Sequence, residues 1–89
     1  MTAEPGVVVY WRPGCGFCAM LRDELGELAG RARWVDIWAD EDAAAYVRSV
    51  NGGDETVPTV VIDGVAHTNP PPRTVAERLA QDTDGPGHQ

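Results

Sequence analysis

Cys15 and Cys18 stand three residues apart in Cys15-Gly16-Phe17-Cys18, and the chain holds no other cysteine. Two thiols at that spacing can exchange with a disulfide, supply half of a metal site, or close a structural bridge. Structural zinc wants four ligands, and the only histidines that could complete the set are His67 and His88, the latter in a terminal stretch without apolar periodicity. No metal site is expected. A framework of several disulfides is excluded by count. Export, which would favour a structural bridge, has no signal here. Met1 to Pro5 carries no basic residue, and the apolar run Val7-Val8-Val9-Tyr10-Trp11 is too short for a leader or a membrane span. A cytoplasmic chain is expected, and in that reducing compartment a close pair points to redox chemistry.

Disulfide exchange proceeds through the thiolate, whereas an ordinary cysteine with a pKa of ~8.5 is mostly protonated at neutral pH. A helix N-terminus favours the anion through unpaired backbone N–H groups and the positive end of its dipole. The residues around the pair supply such a position. Val7 to Trp11 reads as a strand buried on both faces, and Arg12-Pro13-Gly14 ends it. Cys18, Leu21, Leu25 and Leu28 then recur at three- and four-residue steps, one face of an amphipathic helix ending near Gly30. Cys15 falls at the exposed start of that helix and reads as the nucleophile. Cys18, almost one turn on, is shielded and reads as the resolving thiol.

The remaining pattern builds a support for this junction. Arg33 to Trp38 predicts a second strand, with Trp34 and Trp38 as packing residues and Trp11 as an apolar wall beside the pair. Asp40-Glu41-Asp42 predicts a capped second helix with Ala43, Val47 and Val50 facing inward, closed by Asn51-Gly52-Gly53. Thr59 to Ile62 is a third strand. Asp63-Gly64 is a two-residue hairpin turn into a fourth strand, Val65 to Thr68. Asn69 and three prolines lead into a last helix, Thr74 to Gln81, with Thr68 and Asn69 as available caps. The order β-α-β-α-β-β-α predicts an α/β protein: a four-stranded mixed sheet with three flanking helices and a parallel first pair. One domain spans 1–89, with 82–89 a flexible tail.

Thr56-Val57-Pro58 opens the third strand. A proline there suits a strand end or a special turn, because it has no N–H for the ladder. The topology returns this point beside the end of the first strand, next to Cys15. A cis Val57–Pro58 peptide would expose the Val57 backbone to pair with an extended thiol substrate.

Tyr10-Trp11-Arg12-Pro13-Gly14-Cys15-Gly16-Phe17-Cys18, followed by Thr56-Val57-Pro58 and Asp63-Gly64, resembles the glutaredoxins over almost the whole chain. The resemblance implies the thioredoxin fold, a cis Pro58, and reduction of mixed disulfides between proteins and a low-molecular-weight thiol. It also implies that Arg12, Phe17, Val57, Pro58, Thr68 and Asn69 bind substrate, Arg12 standing where glutaredoxins usually carry a lysine. Glutathione-using members follow the fourth strand with Gly-Gly and acidic residues, whereas this chain reads Thr68-Asn69-Pro70-Pro71-Pro72. Together with Ser49-Val50-Asn51-Gly52-Gly53, that stretch is more similar to the mycoredoxins, glutaredoxin-like proteins of bacteria that use mycothiol. Mycothiol, or else glutathione, is then the expected cosubstrate, S-thiolated proteins are the partners, and no cofactor is tightly bound.

Two other functions stay open on the residues. One is a dithiol redoxin passing electrons directly to a protein such as ribonucleotide reductase. The other is an iron–sulfur carrier, since Cys15-Gly16-Phe17 is similar to the loop of cluster-binding monothiol glutaredoxins, although Cys18 stands where they have serine. The net charge of −7, with 14 acidic residues against seven basic ones, argues against nucleic acid and anionic membranes, and a monomer is expected.

Overall fold

The computed structural model describes residues 6–81; the expected tail, 82–89, lies outside them. The apolar run forms strand β1, Val7–Trp11, inside a sheet with β2, Arg33–Asp36, β3, Thr59–Ile62, and β4, Val65–Thr68, in the order β2-β1-β3-β4. β1 runs parallel to β2, with Trp11 opposite Asp36, and antiparallel to β3, with Tyr10 opposite Thr59. A parallel pair needs a crossover, and helix α1, Gly16–Leu25, provides it. Asp63 and Gly64, with φ of 50° and 87°, adopt the positive values that a two-residue primed turn requires between β3 and β4.

Alternation along the strands divides the core between two faces. Val7, Val9 and Val60 pack with Leu21 and Leu25 of α1 and with Val75 and Leu79 of α3, Pro72–Ala80. Burying each of these valines contributes about 1.5–3 kcal/mol. On the other face, Tyr10, Val35 and Val57 meet a smaller cluster of Ile37, Ala43, Ala44 and Val47 under α2, Glu41–Val50. Asp40 caps α2 as expected, its Oδ1 accepting from the Ala43 N–H at 3.1 Å. This arrangement is the thioredoxin fold.

Three local expectations change. The first helix is split: Gly26, with φ 56°, ends α1, and a 3-10 segment, Gly26–Arg31, continues the apolar face through buried Ala29. Val50 is exposed rather than inward, because it is the last residue of α2, beyond the small cluster beneath that helix. The last helix begins two residues early, at Pro72, whose fixed φ and missing N–H suit a first turn. Pro71 is its N-cap with no side-chain cap bond, so neither Thr68 nor Asn69 caps it.

Candidate redox site

The sheet delivers Cys15 to one end of α1. Beyond Trp11 the chain turns through Arg12-Pro13-Gly14, with Gly14 at φ 81°, and Cys15 becomes the N-cap of the helix. Its sulfur takes the place of a capping oxygen: the Cys18 N–H donates to Cys15 Sγ at 3.2 Å. No acidic residue lies in the first turn of α1, so nothing there opposes negative charge on that sulfur. The Val57–Pro58 peptide is cis, and on this side the Cys15 S–H donates a long bond of 3.6 Å to the Val57 carbonyl. Pro58 itself is buried.

The two thiols differ sharply in environment. Both are free; Cys15 is half-buried, whereas Cys18 faces the core. Burial, reinforced by its hydrogen bond with Cys15, pushes the Cys18 thiol up to about 12; a backbone bond to Arg12 and the Arg12 charge pull only weakly the other way. At neutral pH Cys18 is therefore a thiol.

Two clefts flank the pair. One, of about 170 Å³, has Trp11, Arg12, Arg22 and Trp34 around both cysteines, so Trp11 forms the wall expected of it. Trp34 is a packing residue, its Nε1–H donating to the Ala29 carbonyl at 2.8 Å and its ring carrying the Arg22 guanidinium at 4.6 Å. Trp38 is not: it lies past the end of β2, 63% exposed, with the Arg12 guanidinium 5.2 Å from its ring centre. The second cleft joins exposed Phe17 and Met20 to Asn69 and Pro70 to Pro72.

Thr68 and Asn69 are engaged within the fold. The Thr68 hydroxyl donates to Asn51 Oδ1 at 2.6 Å, and Asn51 Nδ2 donates to the Val47 carbonyl at 2.9 Å and to Thr59 Oγ1 at 3.0 Å. The Thr59 hydroxyl in turn donates to the Thr56 carbonyl at 2.7 Å. Asn69 takes a left-handed conformation, φ 47°, and its N–H donates to the Pro58 carbonyl at 2.8 Å. This network holds the Val57–Pro58 turn against the ends of α2 and β4.

Arg12, Cys18 and Val57 therefore gather around Cys15, while Phe17 and Asn69 share the second cleft and Thr68 points into the network. Sequence reasoning gave Asn51 only a helix-ending role and assigned nothing to Arg22 in the site. The position of Arg22, four residues after Cys18 on α1, was the available signal. Among the described residues, no group of three or more His, Cys, Asp and Glu side chains is placed to hold a metal ion, and no helix is long and apolar enough to cross a membrane.

A thioredoxin fold with a cysteine pair at the start of α1 defines a class of thiol-exchanging proteins. The glutaredoxin family model matches residues 7–67, and the chain belongs to that family of thiol–disulfide oxidoreductases. It is 40% identical over 78 residues to a protein of Mycobacterium tuberculosis strain H37Rv that bears the name of a glutaredoxin, covering 84% of this chain and 90% of that one. It is 39% identical over 66 residues to Mycoredoxin 1 of Corynebacterium glutamicum, covering 72% of this chain and 80% of the relative. Oxidized glutaredoxin 2 from Chlamydomonas reinhardtii superposes with a TM-score of 0.56 at 26% identity, over 88% of this chain and 74% of that one. The holo form of glutaredoxin C1 from Populus tremula x tremuloides shares the fold, with a TM-score of 0.57 at 24% identity over 89% and 77% of the two chains.

Proposed function

We propose that this protein reduces mixed disulfides between proteins and mycothiol, and that Cys15 alone carries the exchange. The observation behind the reading is the Cys15 sulfur itself, capping α1 with the Cys18 N–H at 3.2 Å and flanked by the Val57 backbone. The identity to Mycoredoxin 1 supports mycothiol as the small thiol.

In the first step the Cys15 thiolate attacks the mycothiol sulfur of the mixed disulfide. The S–S bond breaks, and the protein sulfur leaves as a thiolate and takes a proton from solvent. Cys15 is now disulfide-bonded to mycothiol, whose acetylcysteine amide can pair with the Val57 backbone beside the sulfur. A second mycothiol thiolate attacks the bound mycothiol sulfur, which releases mycothiol disulfide and restores the Cys15 thiolate. The electron pair that reduces the protein sulfur comes from the second mycothiol thiolate, and an NADPH-dependent mycothiol disulfide reductase would return it by reducing mycothiol disulfide.

Cys18 offers a slower branch. Its attack on Cys15 would expel mycothiol and leave an internal disulfide, but the high pKa keeps its thiolate scarce at neutral pH. Arg12, beside the sulfurs, supplies a donor for the incoming thiol. The site works in a cytoplasmic reducing pool, on S-thiolated proteins, as a monomer.

The test is NADPH oxidation coupled to a mixed-disulfide substrate, with mycothiol and its reductase compared against glutathione and its reductase. Turnover with mycothiol and little with glutathione is expected. Turnover only with glutathione would overturn the choice of thiol. Turnover with neither, but with a thioredoxin reductase, would replace it with direct dithiol electron transfer.

A further inference from the structure

Trp38 is the most exposed of the three indoles, and it lies just past the end of β2, beside the strand that leads into Cys15. The Ile37 N–H donates to the Trp11 carbonyl at 2.9 Å, so the segment bearing Trp38 is tied to the strand that leads into the Cys15 loop. Asp36 Oδ1 accepts from the Trp38 N–H at 2.9 Å, and the Ala39 N–H donates to the Asp36 carbonyl at 3.1 Å. These bonds fix the backbone from which the Trp38 side chain projects. Arg12, which lines the cleft with both cysteines, lays its guanidinium against the same ring. A lone exposed apolar side chain is ordinary on a protein surface; what distinguishes Trp38 is that Arg12 joins its ring to the cysteine cleft.

We propose that the Trp38 ring, with Arg12, is the platform for the sugar half of mycothiol. The inference rests on the mycothiol reading above and deepens it. Mycothiol joins an acetylated cysteine to a glucosamine–inositol unit, a neutral polyol whose C–H faces stack on indole and whose hydroxyls both donate and accept. Arg12 supplies N–H donors beside the ring, and Asp36 and Asp40, two residues before and after Trp38, each hold a backbone N–H on Oδ1 and keep a second carboxylate oxygen that can accept from hydroxyls. The same carboxylates, followed directly by Glu41 and Asp42, repel the carboxylates of glutathione. The surface thus selects a neutral sugar over an anionic peptide while leaving the exchange at Cys15 unchanged.

The experiment uses two mixed disulfides of one model peptide, made with mycothiol and with N-acetylcysteine, which lacks the sugar. Reduced wild-type protein, Trp38→Ala and Trp38→Phe are each assayed for kcat and KM, with circular dichroism as a folding check. Trp38→Ala should raise KM for the mycothiol substrate roughly 5- to 10-fold, as loss of one aromatic stacking contact would. It should leave KM for the N-acetylcysteine substrate unchanged, and Trp38→Phe should recover most of the loss. Equal effects on both substrates would make Trp38 a structural or peptide-binding residue and overturn the proposal, as would no effect on either. Failure of the wild type to use mycothiol at all would instead defeat the mycothiol reading, a result visible before any variant is compared.

Discussion

The two flanks of Cys15 are built on opposite plans. On the β4 side, polar groups are spent inside the protein: Thr68 bonds Asn51, Asn51 bonds Val47 and Thr59, and the Asn69 N–H bonds Pro58. On the β2 side, the half-buried Arg12 rests against the Trp38 ring, which faces outward. A fold must satisfy its partly buried polar groups, so the first flank is fixed by stability. An exposed indole has no such debt, and its placement is free to serve a ligand. The contrast suggests that one flank holds the Val57–Pro58 turn in position and the other meets the thiol.

The sharpest break in this comparison is Asn51→Ala. It removes the centre of the β4-side network and strands the hydroxyls it joined, so stability should fall by about 2 kcal/mol in urea unfolding. Activity in the folded fraction should change far less. A large loss of activity with little loss of stability would move substrate binding to the β4 flank.

A second prediction concerns the inner thiol. Because burial raises the Cys18 pKa from 9.0 to about 12, the folded state holds that proton more tightly than the unfolded chain does. Its contribution is complete below pH 9 and is lost as the pH rises toward 12. Iodoacetamide at pH 8 should therefore label native reduced protein once, at Cys15, and reach Cys18 only in denaturant. Equal labelling of both would contradict the buried, protonated Cys18.

The smallest effect is expected from Thr68→Val. It deletes one exposed member of the network and should cost about 0.5–1 kcal/mol in the same unfolding assay. Its KM for the mycothiol substrate should move less than that of Trp38→Ala. The reverse order would exchange the roles of the two flanks.

The framework of the site was legible in the sequence because its signals are local. An apolar run, a glycine–proline break and a three-four periodicity place Cys15 at a helix start without knowledge of any distant contact. The Asp63-Gly64 turn and the Asp40 cap were legible for the same reason. The two flanks were not. Trp38 and Trp34 are the same residue type four positions apart, and only the end of β2 at Asp36 leaves one exposed while the other packs. Thr68 and Asn69 read as helix caps because nothing local reveals that Asn51, 17 residues before Thr68, comes to meet its hydroxyl. Pairings across the sheet belong to the tertiary fold, and residue types at one position do not announce them.

The most direct measurement is to trap the first chemical step. Cys18→Ser protein, reduced and mixed with a mycothiolated peptide, is quenched with acid and examined by intact mass and peptide mapping. A mycothiol adduct on Cys15 together with free peptide thiol is the predicted result. A disulfide between Cys15 and the peptide, with mycothiol released, would contradict it, and so would the absence of any exchange without Cys18.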